Sequence, residues 1–121
     1  MTPPTVAQRY VDAVNSGRVG DLESIFAPDV VFRSSAVFID GLDDVIDYFI
    51  EVVFLGQSAL HLVEEFASPR GHVARIDVRS PLAADLPPLE IFVHFETDDN
   101  GLITRFDSFH RFDPSVEVDL F

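Results

Sequence analysis

The sequence predicts a single α+β domain in which three helices from the first half cover one face of a mainly antiparallel sheet. Three observations predict it. Apolar residues recur at helical spacing in three stretches before Gly56, and the rest of the chain falls into four runs rich in β-branched and aromatic residues. With 121 residues there is chain enough for one core and too little for a second, so one domain is expected over residues 1–121.

Thr5 followed by Gln8 predicts a helix start in a capping box, in which Thr5 caps a backbone N–H and Gln8 reaches back. Val6, Ala7, Tyr10, Val11 and Val14 follow at helical spacing as far as Gly17. A second short helix is expected from about Gly20 to Phe26, stopped by Ala27-Pro28 because proline cannot continue the hydrogen-bond ladder. Residues 29–34 read as a strand and residues 36–39 as a short extended piece. Gly41 opens a third helix, Leu42 to about Leu55, with Val45, Ile46, Phe49, Ile50, Val53 and Phe54 on a wide apolar stripe that ends at Gly56. Strands are expected at residues 58–66, 72–80, 89–97 and 102–112. Between the last two, Asn100-Gly101 suits a tight hairpin, and the Pro81 to Pro88 stretch reads as a flap beside whatever the sheet encloses.

The charge balance is 8 Lys+Arg against 21 Asp+Glu, a formal −13, on a chain that is 47% hydrophobic. Binding phosphates needs clustered cations, so nucleic acid and anionic membranes are excluded as partners. No apolar run approaches the roughly 20 residues of a spanning helix, and Met1-Thr2-Pro3-Pro4 lacks the basic start of a signal peptide. There is no cysteine, which removes disulfides, zinc ribbons and thiol nucleophiles and fits a cytoplasmic location. Phosphate-loop, nucleophile-elbow and His-Glu-x-x-His motifs are missing, and His61, His72, His94 and His110 lie on separate strands. Neither a metal nor any other cofactor is expected.

On the strand at 89–97, Ile91, Val93 and Phe95 share one face, while Phe92 shares the other with His94 and Glu96. Phe106 likewise faces away from Arg105, Asp107 and Phe109. A sheet that is apolar on its second face calls for a partner there, which predicts a homodimer through the sheet.

Four segments carry a resemblance: Arg9-Tyr10-Val11 through Gly17, Leu22 through Phe32, Gly41 before Val45 to Phe49, and Gly101 through Phe106. In these the chain resembles the nuclear transport factor 2-like superfamily, in its SnoaL-like and limonene-epoxide-hydrolase-like branch, over nearly its whole length. The resemblance implies a cone-shaped α+β fold, which hosts enzymes and non-catalytic proteins alike. Ketosteroid isomerases of this fold use a tyrosine, an aspartate base and a protonated aspartate. Tyr10 is similar to the tyrosine, but the other two positions fall on Ser34 and Val93. Scytalone-type dehydratases are similar at His61 and differ at Asn15, Ser34 and the Arg79-Ser80 region. Limonene-type epoxide hydrolases are similar at Arg75-Ile76-Asp77, which implies a carboxylate that deprotonates water and an arginine that orients it. Their water-positioning pair falls on Phe32 and Ser34, and their second aspartate falls on Ser108 or, one residue earlier, Asp107; His110 is a substitute proton donor.

These comparisons lead to an expected cavity walled by Tyr10, Phe32, Ser34, Phe38, Phe49, Val53, Ile91, Val93, Phe106, Ser108 and His110. Its ligand is expected to be a hydrophobic small molecule, flat or terpenoid-like. Acid–base work of hydrolase, lyase or cyclase type is assigned to Asp77 with Arg75, or to His61 with Tyr10. Alternation leaves the facing open: with Ala74, Ile76 and Val78 buried, Arg75, Asp77 and Arg79 become a solvated ion-paired stripe. His61 equally reads as a hydrogen-bonded strand histidine and Tyr10 as a core tyrosine. The competing reading is a non-catalytic ligand-binding or dimerisation module.

Overall fold

The computed structural model describes residues 3–35 and 37–111, so the strand limits expected at Ala36 and Phe112 lie outside the described residues. Helix α1, Val6–Ser16, forms where the spacing predicts. Thr5 Oγ1 accepts from the Gln8 backbone N–H at 3.1 Å, and Gly17 closes the helix in the left-handed region at φ 69°. The reciprocal half of the capping box does not form, because the Gln8 side chain donates to Asp12 one turn on, at 2.8 Å.

Helix α2, Val19–Glu23, stops before the expected Phe26, and strand β1, Phe26–Arg33, runs on through Ala27-Pro28. Proline is tolerated there because the parallel register between β1 and β6 (Ile103–Arg111) slips between Phe26 and Val31, where no N–H of residue 28 is needed. Strand β2, Phe38–Asp40, pairs antiparallel with β1 and leads into helix α3, Leu42–Tyr48. The expected regular helix to Leu55 instead widens into a π-helical stretch, Phe49–Phe54. There Leu55 N–H reaches back to Ile50 O at 3.3 Å, and just beyond it Ser58 N–H reaches Val53 O at 3.1 Å.

Strands β3 (Ala59–Ser68), β4 (Gly71–Arg79) and β5 (Leu89–Thr97) complete a six-stranded sheet in the order β2-β1-β6-β5-β4-β3. Its pairs are antiparallel except β1 with β6. A short 3₁₀ turn, Pro81–Ala83, lies between β4 and β5.

The helices bury the inner face of this sheet around Phe106, whose ring lies 4.6 Å from Phe32, 5.2 Å from Phe26, 5.8 Å from Tyr10 and 6.1 Å from Phe49. Each such ring pair adds about 0.5–1.5 kcal/mol beyond area burial, so Phe106→Ala should cost at least about 3–5 kcal/mol. Asn15, at the end of α1, fixes the helix to the sheet by two bonds to the Leu60 backbone, one donated and one accepted, both 2.8 Å. That clamp sets the distance between α1 and the start of β3, and so the width of the space between them.

Candidate active site

Between the helices and the inner sheet face lies a cavity of about 240 Å³. Helix α1 contributes Tyr10 and Val14, and the end of the third helix contributes Tyr48, Phe49, Val52 and Val53. The sheet supplies Phe32, Leu60, Val78, Leu89, Ile91, Ser108 and His110, with Ser34 and Ser58 at strand ends. The expected wall residues Tyr10, Phe32, Ser34, Phe49, Val53, Ile91, Ser108 and His110 are therefore together.

Three expected wall residues stand elsewhere. Val93 and Phe106 are fully buried in the core and do not border the cavity. Phe38 lies on edge strand β2, exposed in a separate outer groove with Asp40, Asp44, Asp47 and Glu51. Alternation puts Val93 and Phe106 on the correct face but is blind to depth, and helix packing fills the space in front of them.

The larger correction concerns Arg75, Asp77 and His61, which stand on the opposite, outer face of the sheet. Leu62, Ile76 and Ile91 form one cross-strand row on the inner face, and Leu60, Val78 and Leu89 form another. With a side-chain period of two, His61, Asp77 and Glu90 must share a row on the outside, as must Glu64, Arg75 and Phe92. Arg75 is committed there to carboxylates: its Nε lies 2.9 Å from Glu90 Oε1 in a charge contact, and its Nη1 lies 3.3 Å from Glu64 Oε1. Arg75 and Asp77 form no ion pair with each other among the described residues. Asp107 is also outside, between Arg33 at 3.6 Å and Arg105 at 3.2 Å, whereas its neighbour Ser108 points into the cavity.

Among the described residues no Asp, Glu, Lys or Arg lines the cavity. Its polar groups are the three serines, the phenols of Tyr10 and Tyr48, and the His110 imidazole. Tyr10 is only 6% exposed, and its hydroxyl has no hydrogen-bond partner among the described residues. Burial first, and then repulsion from Tyr48, push its ionisation well above the ordinary phenol range; burial also raises Tyr48. Both tyrosines therefore stay protonated, and Tyr10 is a neutral donor aimed at an apolar space. Imidazole is the side chain that exchanges protons around neutral pH. Together these groups can bind an acceptor oxygen at one place and move a proton at another.

Sequence reasoning missed Val14, Tyr48, Val52, Ser58, Leu60, Val78 and Leu89. Val14 was within reach, one turn after Tyr10 on the same stripe. Leu60, Val78 and Leu89 needed the register of β3, β4 and β5. Val52 comes to the wall beside Val53 through the π-helical stretch, which widens the turn beyond an ordinary helical phase.

Residues 7–106 match the family model of the SnoaL-like domain. The chain belongs to the SnoaL-like domain family. As a SnoaL-like domain it has the cone-shaped fold of the wider nuclear transport factor 2-like group, and solved structures share it. A proposed polyketide cyclase from Sinorhizobium meliloti superposes with a TM-score of 0.76 at 19% identity, over 88% of this chain and 94% of that one. The epoxide hydrolase/cyclase-like enzyme SalBIII, of pyran ring formation in the polyether salinomycin, gives 0.74 at 13% identity over 88% of each chain. A steroid delta-isomerase from Pseudomonas aeruginosa gives 0.69 at 20% identity, over 91% of this chain and 79% of that one. At these identities the likeness establishes the fold alone. No curated protein matches the sequence. Among the described residues no helix is long and apolar enough to cross a membrane.

Proposed function

We propose that this SnoaL-like domain is an acid–base enzyme acting on a compact, neutral, hydrophobic carbonyl compound, with Tyr10 binding the carbonyl oxygen and His110 moving the proton. The observation that carries the reading is the Tyr10 hydroxyl, which lines, without a hydrogen-bond partner among the described residues, a cavity that also holds an imidazole and, among those residues, no carboxylate. A ligand oxygen would give that hydroxyl an acceptor.

The cavity sets the size of the substrate. At about 240 Å³ it holds one or two fused rings. His110 takes a proton from the carbon next to the carbonyl, the electron pair passes to the oxygen, and the Tyr10 O–H stabilises the enolate. Return of a proton, attack of the enolate carbon within the molecule, or loss of a neighbouring hydroxide gives isomerisation, cyclisation or dehydration. The epoxide-hydrolase route through Asp77 and Arg75 finds no support, because both stand outside the cavity. The relatives described as cyclase and isomerase are in keeping with enolate chemistry.

Exchange of the α-hydrogens of 2-tetralone for deuterium, followed by proton NMR, tests the reading. Wild type should accelerate exchange over buffer, and Tyr10→Phe should lose roughly 100-fold of that rate. An absence of acceleration and of binding removes the proposal. The lack of a carboxylate among the described lining residues favours one second reading, a non-catalytic binder, which would bind 2-tetralone through Tyr10 without exchanging it.

We further propose that two copies associate through the outer sheet face. Phe66 and Phe109 are exposed there beside Phe92, and charges of both signs surround them in two ion-paired groups: Arg75 with Glu64 and Glu90, and Asp107 with Arg33 and Arg105. A two-fold axis sets such a face against itself with aromatic rings meeting and opposite charges at the rim.

A further inference from the structure

The connection from β4 to β5 borders the mouth of the cavity. Val78 and Leu89, the ladder pair that brackets it, both line the cavity, so the segment between them starts and ends on the rim. Within it Leu82 is 69% exposed and Leu86 64%. The facing rim is the end of the third helix, where Val52 lines the cavity and Leu55, one residue past the π-helical stretch, is 70% exposed. Ser80 joins the two rims by donating to the Gly56 carbonyl, one residue from Leu55 and two from Leu82. Leu82 and Leu86 on one segment and Leu55 on the other thus expose apolar side chains on the stretches of chain that adjoin the cavity wall, which marks a binding surface rather than a finished core.

Residues 81–88 are free of the sheet. Among the described residues they bond only to one another and to Ser80, the anchor on Gly56: Leu82 N–H to Ser80 Oγ, Ala83 N–H to Ser80 O and Leu86 N–H to Ala83 O. It can turn about Ser80 at one end and Pro87-Pro88 at the other without breaking a ladder bond.

We infer that residues 81–88 are a lid that closes over the mouth when an apolar molecule occupies the cavity, with Leu82 and Leu86 packing onto Val52 and Leu55. The inference rests on the cavity being the ligand site proposed above. An empty mouth offers the leucines water, whereas a filled one continues the apolar surface beneath them, and that difference in contact shifts the balance toward closure. A closed lid excludes water from Tyr10 and His110, which strengthens the hydrogen bond to the developing enolate.

The chain has no cysteine, so Leu55→Cys with Leu86→Cys gives a reporter without background. Oxidation by glutathione disulfide, which is reduced to two glutathione thiols as the new disulfide forms, is followed by mass spectrometry with and without the neutral probe 2-naphthol. The lid predicts that the probe raises the cross-linking rate about fivefold or more, and that cross-linked protein releases it at least about tenfold more slowly until dithiothreitol is added. A control keeps the two readings apart: Ile91→Phe fills the cavity. Naphthol binding that Ile91→Phe abolishes, with no change in cross-linking, overturns the lid and leaves the cavity site standing. Binding indifferent to Ile91→Phe, or none, overturns both.

Discussion

Ile91 on β5 and His110 on β6 stand directly opposite each other across the antiparallel ladder. Partners in register point to the same side of a sheet, so the imidazole enters the cavity with the isoleucine, and Phe109 is left outside. A slip of one residue would put Phe109 in the cavity and the imidazole outside. The candidate chemistry is thus a consequence of strand register.

Tyr10→Phe should impair ligand binding while leaving the stability of the fold almost unchanged. The ring stays packed on Phe106, and the hydroxyl that is removed bonds to no described residue, so the change should stay within about 0.5 kcal/mol. Calorimetry of the two proteins checks this; a clear loss of stability would mean that the hydroxyl bonds within the fold.

The same residue governs alkaline stability. Its ionisation is raised in the fold, so the folded state holds its proton more tightly than the unfolded chain does. The contribution is complete below the ordinary phenol pKa of 10.0 and is lost as pH climbs above it. Urea unfolding should therefore give a flat contribution up to about pH 10 and a fall beyond it that is shallower in Tyr10→Phe, with Tyr48 supplying a smaller part of the same slope.

Two glycine substitutions should behave oppositely. A Cβ on Gly71 would sit 2.0 Å from the Phe95 carbonyl oxygen, so Gly71→Ala must push β4 from β5 and cost at least about 2 kcal/mol. Nothing lies within 4 Å of a Cβ on Gly20, inside α2, where alanine should be neutral or add up to about 1 kcal/mol. Equal effects in denaturant titrations would contradict the close approach of β4 to β5 at Gly71.

Phe109→Glu should separate a dimer into monomers without disturbing the cavity. Phe109 is 58% exposed on the outer face, and a carboxylate there would meet its own copy. Light scattering after gel filtration reads the mass directly, and a wild type that is already monomeric would end the dimer proposal.

Much of this architecture was legible because the apolar periods are clean. The order of helices and strands, the inner face of β5 and β6, and Tyr10 on the buried side of α1 all follow from spacing of two or three to four. The misreadings occur where the backbone leaves those periods. Pro28 stopped the reading of α2 too late because a register slip in β1 accommodates it, and the π-helical turn moved Val52 to the wall. For β4, alternation gave two correct sets of neighbours but no way to tell inside from outside. The Arg75-Ile76-Asp77 motif favoured the charged set, and the burial of Ala74 and Ile76 decides for the other.

The most direct measurement of the central claim is deuterium exchange into 2-tetralone by His110→Gln and Asp77→Asn side by side with wild type. His110→Gln should lose about 100-fold of the rate and Asp77→Asn, whose carboxylate stands on the far side of the sheet, should keep it unchanged. Exchange that survives His110→Gln and disappears with Asp77→Asn would contradict that claim.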